Sequence, residues 1–270
     1  DEPLGLPGIF SSGIALSALV WALIEAGPHG WGSPRVLAGL LVTFVATAIF
    51  VSLARVGRAA IVDRPLARNR RFNGSAIASL LWGLGISGVF FFTSLYLQDV
   101  LGLRPVAAGA TFVPLALALV VSVAAIAPLS ARLGSRLMVT VGLALVALGL
   151  LWVSLVGEGA TSGDLIPGLV VIGAGSGLTI PLTAIALENV EERRMGMASS
   201  LLSAIREVSG AFGVAVIGLL VATREDALIA AGRSDRLAFL GGYELGLQVA
   251  SALTLVGAFV TFTMLREDPS

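Results

Sequence analysis

Few side chains in these 270 residues have the type and spacing to do chemistry. Arg206 and Glu207 come first, because this adjacent charged pair lies inside an apolar stretch over residues 196–221. A charge at bilayer depth costs roughly 2.5–3.5 kcal/mol on insertion scales, and such residues usually face a bundle interior or a water-filled cavity. At about 100° per residue, Ser200, Ala204, Ala211, Ala215 and Gly218 form a narrow stripe of small side chains. Glu207 lies beside that stripe, followed around the helix by Ser203, Gly210, Ser199 and Arg206, while Leu201, Ile205, Val208, Phe212, Val216 and Leu219 lie opposite. The pattern predicts one face toward lipid, one packed closely on another helix, and a polar strip between them. Two readings of the pair stay open: ties between helices with Arg206 snorkelling, or part of a solute or proton pathway.

Other chemistry is excluded residue by residue. The chain has no cysteine and no lysine, so thiol catalysis, thiolate metal sites and a phosphate-loop lysine are absent. Gly83-Leu84-Gly85-Ile86-Ser87-Gly88 matches G-x-G-x-x-G, but no strand precedes it and no βαβ unit surrounds it, so no dinucleotide site follows. Gly175-Ser176-Gly177 resembles a hydrolase nucleophile turn, yet the single histidine, His29, sits in a distant Gly/Pro loop and reads as a solvated turn residue. Glu191 and Glu192 alternate with Arg193 and Arg194 as a solvated face. No carboxylates have metal-ligand spacing. The sequence predicts no enzyme, no cofactor and no metal.

The elements that must position Arg206 and Glu207 follow from composition. Hydrophobic residues make up 56% and charged ones 13%, with mean hydropathy +0.95; a soluble domain carries about 25% charged residues. The chain is therefore predicted to be an all-α, multi-pass membrane protein, and its net charge of zero argues against nucleic acid as a partner. Eight stretches are long enough to cross about 30 Å of hydrocarbon: residues 5–26, 34–53, 73–97, 105–129, 137–155, 165–187, 196–221 and 243–265. Pro114 and Pro181 interrupt two of them and predict kinks. All seventeen lysine or arginine positions are arginine, and the connection over residues 55–72 is the longest basic one. Placing it in the cytoplasm gives eleven arginines inside and five outside, with Arg206 left over, and puts both termini inside. Ala60-Ile61-Val62, Pro65-Leu66 and Phe72 in this connection suit a surface-lying segment, with a solvated linker as the alternative. The start at Asp1-Glu2-Pro3, without methionine or signal pattern, predicts a segment of a longer protein.

Several stretches together resemble the major facilitator superfamily, in its fourteen-helix drug:proton antiporter branch. They are Leu23-Ile24-Glu25-Ala26-Gly27 with Gly30-Trp31-Gly32-Ser33-Pro34; Arg68-Asn69-Arg70-Arg71-Phe72; and Tyr96-Leu97-Gln98-Asp99-Val100-Leu101-Gly102 with Pro105, Ala108-Gly109 and Pro114. Gly196-Met197-Ala198-Ser199 through Arg206-Glu207 to Gly210-Ala211-Phe212-Gly213 is the fourth. The family's cytoplasmic gate motif, Gly-x-x-x-Asp-Arg-x-Gly-Arg, is echoed at Arg132, Gly134 and Arg136, but Ala127 and Ala131 replace its glycine and aspartate. Arg132 thus lacks the local acid such a gate uses.

The resemblance implies the last eight helices of that architecture: two accessory helices (1–55), a basic cytoplasmic linker (56–72), and a six-helix half (73–270) of two inverted three-helix repeats. It implies proton-coupled export of drugs or other small molecules across the cytoplasmic membrane, in lipid, with the six amino-terminal helices or a second half-transporter as partner. Pathway candidates are Arg206, Glu207 and Ser203, with Thr93 and Gln248 from polarity within spans. A lipid, sugar or amino acid exporter and a non-transporting membrane scaffold or remnant remain as alternatives.

Overall fold

The computed structural model describes residues 6–30, 33–55, 66, 69–188 and 190–265. Among these residues the secondary structure is helical throughout, with no strand. In chain order the helices are α1 (Leu6–His29), α2 (Pro34–Arg55), α3 (Arg70–Leu95, continued by a π-helical turn Tyr96–Val100), α4 (Pro105–Ala110) and α5 (Val113–Ala124). They continue as α6 (Ile126–Ser154), α7 (Ser162–Leu178), α8 (Leu182–Leu187), α9 (Met195–Ala230) and α10 (Asp235–Met264).

Six segments of the described chain have the length and apolarity to cross a membrane: Arg70–Val100, Pro105–Ala124, Ile126–Ser154, Ser162–Leu187, Met195–Ala230 and Asp235–Met264. Ahead of them lie two shorter apolar stretches, Phe10–Ala26 and Pro34–Phe50. Most of the basic connection falls outside the described residues; Leu66 within it is buried with Phe72, Ala186 and Leu202. The Asn69 side chain accepts from the Phe72 N–H at 3.0 Å and caps α3.

The breakers act where expected, with two shifts of boundary. Pro114 lies in the first turn of α5 and Pro181 caps α8, so both interrupted spans are broken at those prolines. The charged run after residue 223 does not end α9. Arg224-Glu225-Asp226-Ala227-Leu228 contains good helix formers, and the helix runs on to Ala230 before Gly232 takes φ +81°. At 36 residues α9 is about 54 Å long and overshoots the hydrocarbon at one end. The turn expected near residue 132 is contained in α6 as a single non-helical residue, Gly134 (φ 76°, ψ 152°), in a backbone region that side chains disfavour.

Packing follows small residues. α3 packs on α9 and α10, α9 on α10, α6 on α7 and α10, and α5 on α7, while α1 pairs with α2 and leans on α9. The three glycines of the G-x-G-x-x-G run are packing sites: a Cβ on Gly83 would strike Ser209, one on Gly85 would strike Thr254, and one on Gly88 would strike Ile217. From the other side, a Cβ on Gly213 would meet the Leu84 backbone. Without a hydrophobic drive in lipid, such close backbone approach is what holds helices together. The core through the six spans gathers Phe92, Tyr96, Leu150, Ile172, Ile217 and Leu247.

Candidate functional site

α9 divides into a packed side and an open side. Ala198, Leu202, Ser209, Gly213 and Ile217 are buried, while Ser200, Ser203, Ala204, Glu207 and Ala211 are exposed. The small-residue stripe expected to pack is thus mostly on the open side, and the close-packing seam runs through Ser209 and Gly213. A glycine opposite a glycine-rich run packs closer than alanine opposite leucine, which is why α3 took that seam.

Arg206 lies on the flank between the two sides. Its Nη2 donates to Thr183 Oγ1 on α8 at 2.8 Å, and its own carbonyl accepts from Ser209 Oγ at 2.6 Å. Glu207 points from the middle of the open side, and among the described residues no cation lies within ion-pair distance of it. The neighbouring hydroxyls are turned back onto their own helix: Ser203 donates to the Ser199 carbonyl at 3.0 Å, and Ser200 to that of Met197 at 2.9 Å.

α3 extends this face. Ser87 Oγ lies 3.1 Å from where a Cβ on Gly210 would be, and Ser87, Phe90, Phe91, Ser94 and Leu95 line a shallow cavity of about 450 Å³. Gln98 Nε2 donates to Ser94 Oγ at 2.9 Å and to the Ser94 carbonyl at 3.2 Å. Polar groups therefore recur along one side of the bundle, from Gln98 and Ser94 through Ser87 and Ser203 to Glu207, Arg206 and Thr183. Below them, Arg71 at the start of α3 pairs with Glu188 after α8 at 2.9 Å.

Thr93 and Gln248 stand apart from this face. Thr93 is buried and shares a 2.9 Å hydrogen bond with the Tyr243 hydroxyl, and Tyr243 stacks on Tyr96 with ring centroids 5.2 Å apart. Gln248 is exposed on the side of α10 that also carries Leu255, Phe259 and Phe262. In the gate segment, Arg132 is exposed, Gly134 makes the break, and the Arg136 guanidinium lies 4.3 Å from the Phe262 ring centroid. Thr183, Ser87 and Glu188 were not legible as partners, because each meets its neighbour across a helix gap. His29, expected as a solvated turn residue, is exposed and sits 3.2 Å from Glu25 and 3.0 Å from Arg35 at the α1–α2 turn.

This arrangement is an open polar track with one anchored cation and one unpaired carboxylate. It has no nucleophile–base pair, and among the described residues no three His, Asp or Glu side chains are grouped to hold a metal ion.

Comparison with known proteins gives this geometry its setting. A family model described as Major Facilitator Superfamily matches residues 6–214. The chain is 32% identical over 211 residues to "Multidrug resistance protein Stp" of Mycobacterium tuberculosis, covering 77% of this chain and 39% of that protein. It is 32% identical over 218 residues to "Cephamycin export protein CmcT" of Amycolatopsis lactamdurans, covering 79% and 45%. It is 28% identical over 257 residues to "Puromycin resistance protein pur8" of Streptomyces alboniger, covering 93% and 51%. The chain thus spans about half the length of these curated relatives, or less.

Proposed function

The chain belongs to the Major Facilitator Superfamily, and on that premise we propose that it is the carboxyl-terminal part of a proton-coupled transporter exporting drugs or other small molecules. It is a multi-pass membrane protein and not an enzyme. The observation that carries the proposal is the pairing of roles on α9: Arg206 anchored to Thr183, beside an unpaired Glu207 on an open face. A fixed guanidinium orients a charged substrate or neutralises a buried acid, because it does not titrate in proteins. A carboxylate without a counter-ion exchanges a proton readily once a partner half buries it. The names of the relatives, which concern multidrug resistance and antibiotic export, support the substrate class.

In this reading residues 1–55 form two accessory transmembrane helices, 56–72 a cytoplasmic linker, and 73–270 a six-helix half. Inverted three-helix repeats are supported by the packing of α3 on α9 and of α5 on α7, which are equivalent pairs under such a repeat. The eleven-to-five arginine bias supports cytoplasmic termini in the cell membrane. The pathway is completed by six amino-terminal helices or a second half-transporter against the open side of α3 and α9.

The test is expression in an efflux-deficient host. The 270-residue chain is expected to insert but leave drug sensitivity unchanged, and the chain joined to a six-helix amino-terminal half is expected to restore resistance that uncouplers abolish. Proton-dependent export by the 270 residues alone would point to the homodimer, and no export by either form would overturn the reading.

A further inference from the structure

At the end of the bundle that carries the α3 N-terminus, two guanidinium groups close on the last turn of α10 from different helices. Arg136 of α6 lies over the Phe262 ring, and its Nε is buried with no hydrogen-bond partner. Arg70 of α3 donates to the carbonyl of the next residue, Thr263, at 3.2 Å. Arg132 stands exposed on the far side of the Gly134 break.

Among the described residues none of these three arginines has a carboxylate within 4.0 Å, although Arg71–Glu188 and Arg194–Glu191 pair at the same end. The local acid that the gate motif would supply is replaced by Ala131. Arg136 is only half-buried and Arg132 is exposed, so both guanidinium groups are open to an acceptor from outside the chain.

The seam continues as an apolar lane. The contact of Arg136 with Phe262 and the 2.7 Å hydrogen bond from Ser251 to the Ala147 carbonyl set α6 and α10 antiparallel in one register. Down this register Leu137 and Val141 of α6 are exposed, as are Phe259, Val256 and Leu255 of α10. Cations at one level with exposed apolar side chains beyond them match the two parts of an anionic lipid.

We propose that the α6–α10 seam binds one anionic phospholipid. Its phosphate oxygens accept from Arg136 and Arg132, and Arg70 adds positive charge from α3. Guanidinium meets phosphate through paired, charge-assisted hydrogen bonds. The acyl chains lie along the lane between α6 and α10. The site is separate from the open face of α9, so it stands or falls independently of the transport reading.

The experiment uses the chain purified in its full reading frame and placed in phosphatidylcholine nanodiscs with or without phosphatidylglycerol. Lipid retained by the protein is read by native mass spectrometry, and stability by thermal unfolding. Phosphatidylglycerol is expected to be retained preferentially and to raise the Tm. Each arginine near the surface contributes about a fivefold preference, so Arg136→Gln and Arg132→Gln should each lower it about fivefold, and Arg104→Gln, at the opposite end, should leave it intact. Because Arg132 is exposed, Arg132→Gln decides the matter if Arg136→Gln does not fold, and Arg136→Lys should keep most of the preference. Inorganic phosphate should not raise the Tm. Unchanged preference in the folded variants, or full stabilisation by inorganic phosphate alone, would overturn the assignment to a phospholipid.

Discussion

Arg206 and Thr183 join α9 to α8 through a single 2.8 Å hydrogen bond, made where the chain has just been broken by Pro181. The guanidinium therefore rests on a short helix that is itself a separate piece of its span. In a completed transporter, Arg206→Ala should abolish export while leaving the protein in the membrane fraction. Thr183→Val keeps the charge and removes the acceptor. Interhelical hydrogen bonds in membranes average about 0.6 kcal/mol, so this variant should lose about threefold in export rate. Equal loss in both variants would make the anchor, not the charge, the functional element.

Glu207 is the next residue, yet the helix turns it onto the open side without a counter-ion among the described residues. Glu207→Gln conserves shape and hydrogen-bonding while removing the titration. It should leave substrate binding and folding intact and weaken proton coupling, read as flattened dependence of export on external pH. An unchanged pH profile together with normal export would make Glu207 a bystander.

The seam between α3 and α9 gives a prediction about folding alone. A side chain on Gly213 would drive into the Leu84 backbone, whereas one on Gly109 meets nothing within 4 Å. Overpacking typically costs about 1–3 kcal/mol. Gly213→Leu should lower the detergent-solubilised Tm by several degrees and reduce yield, and Gly109→Leu should do neither. Equal Tm values for the two variants would place the α3–α9 contact elsewhere.

Apolar length located six of the expected spans, because the cost of exposed backbone in lipid leaves little but helix, and Pro114 and Pro181 marked where two of them break. Arg206 and Glu207 were visible because a charge at that depth is expensive. Their different surroundings were not, since the side toward which each points depends on which seam α3 chooses. That choice turned on Ser209 meeting Gly83 and Gly213 meeting the Leu84 backbone, pairings between residues far apart in the chain. The Thr93–Tyr243 bond was hidden for the same reason. Helix ends past the membrane were misjudged where charged but helix-forming residues follow, as after Val221.

The orientation of the whole bundle rests on arginine counts, and it can be checked directly because the chain has no cysteine of its own. Helix order fixes which ends lie together: the α3 N-terminus, the Arg136 level of α6 and the α10 C-terminus share one end, as Arg70–Thr263 and Arg136–Phe262 require. Of the eleven arginines counted inside, Arg70, Arg71, Arg132, Arg136 and Arg194 lie at that end, and the five counted outside, Arg35, Arg104, Arg224, Arg233 and Arg236, belong to the opposite end. The excess of positive charge belongs in the cytoplasm. Single cysteines at Ser33, Ser162 and Ser234 should therefore react with a membrane-impermeant maleimide added to intact cells, and a cysteine at Ala67 should react only after lysis. Labelling at Ala67 in intact cells with protection at Ser162 and Ser234 would invert the bundle and place the Arg71–Glu188 pair on the outside.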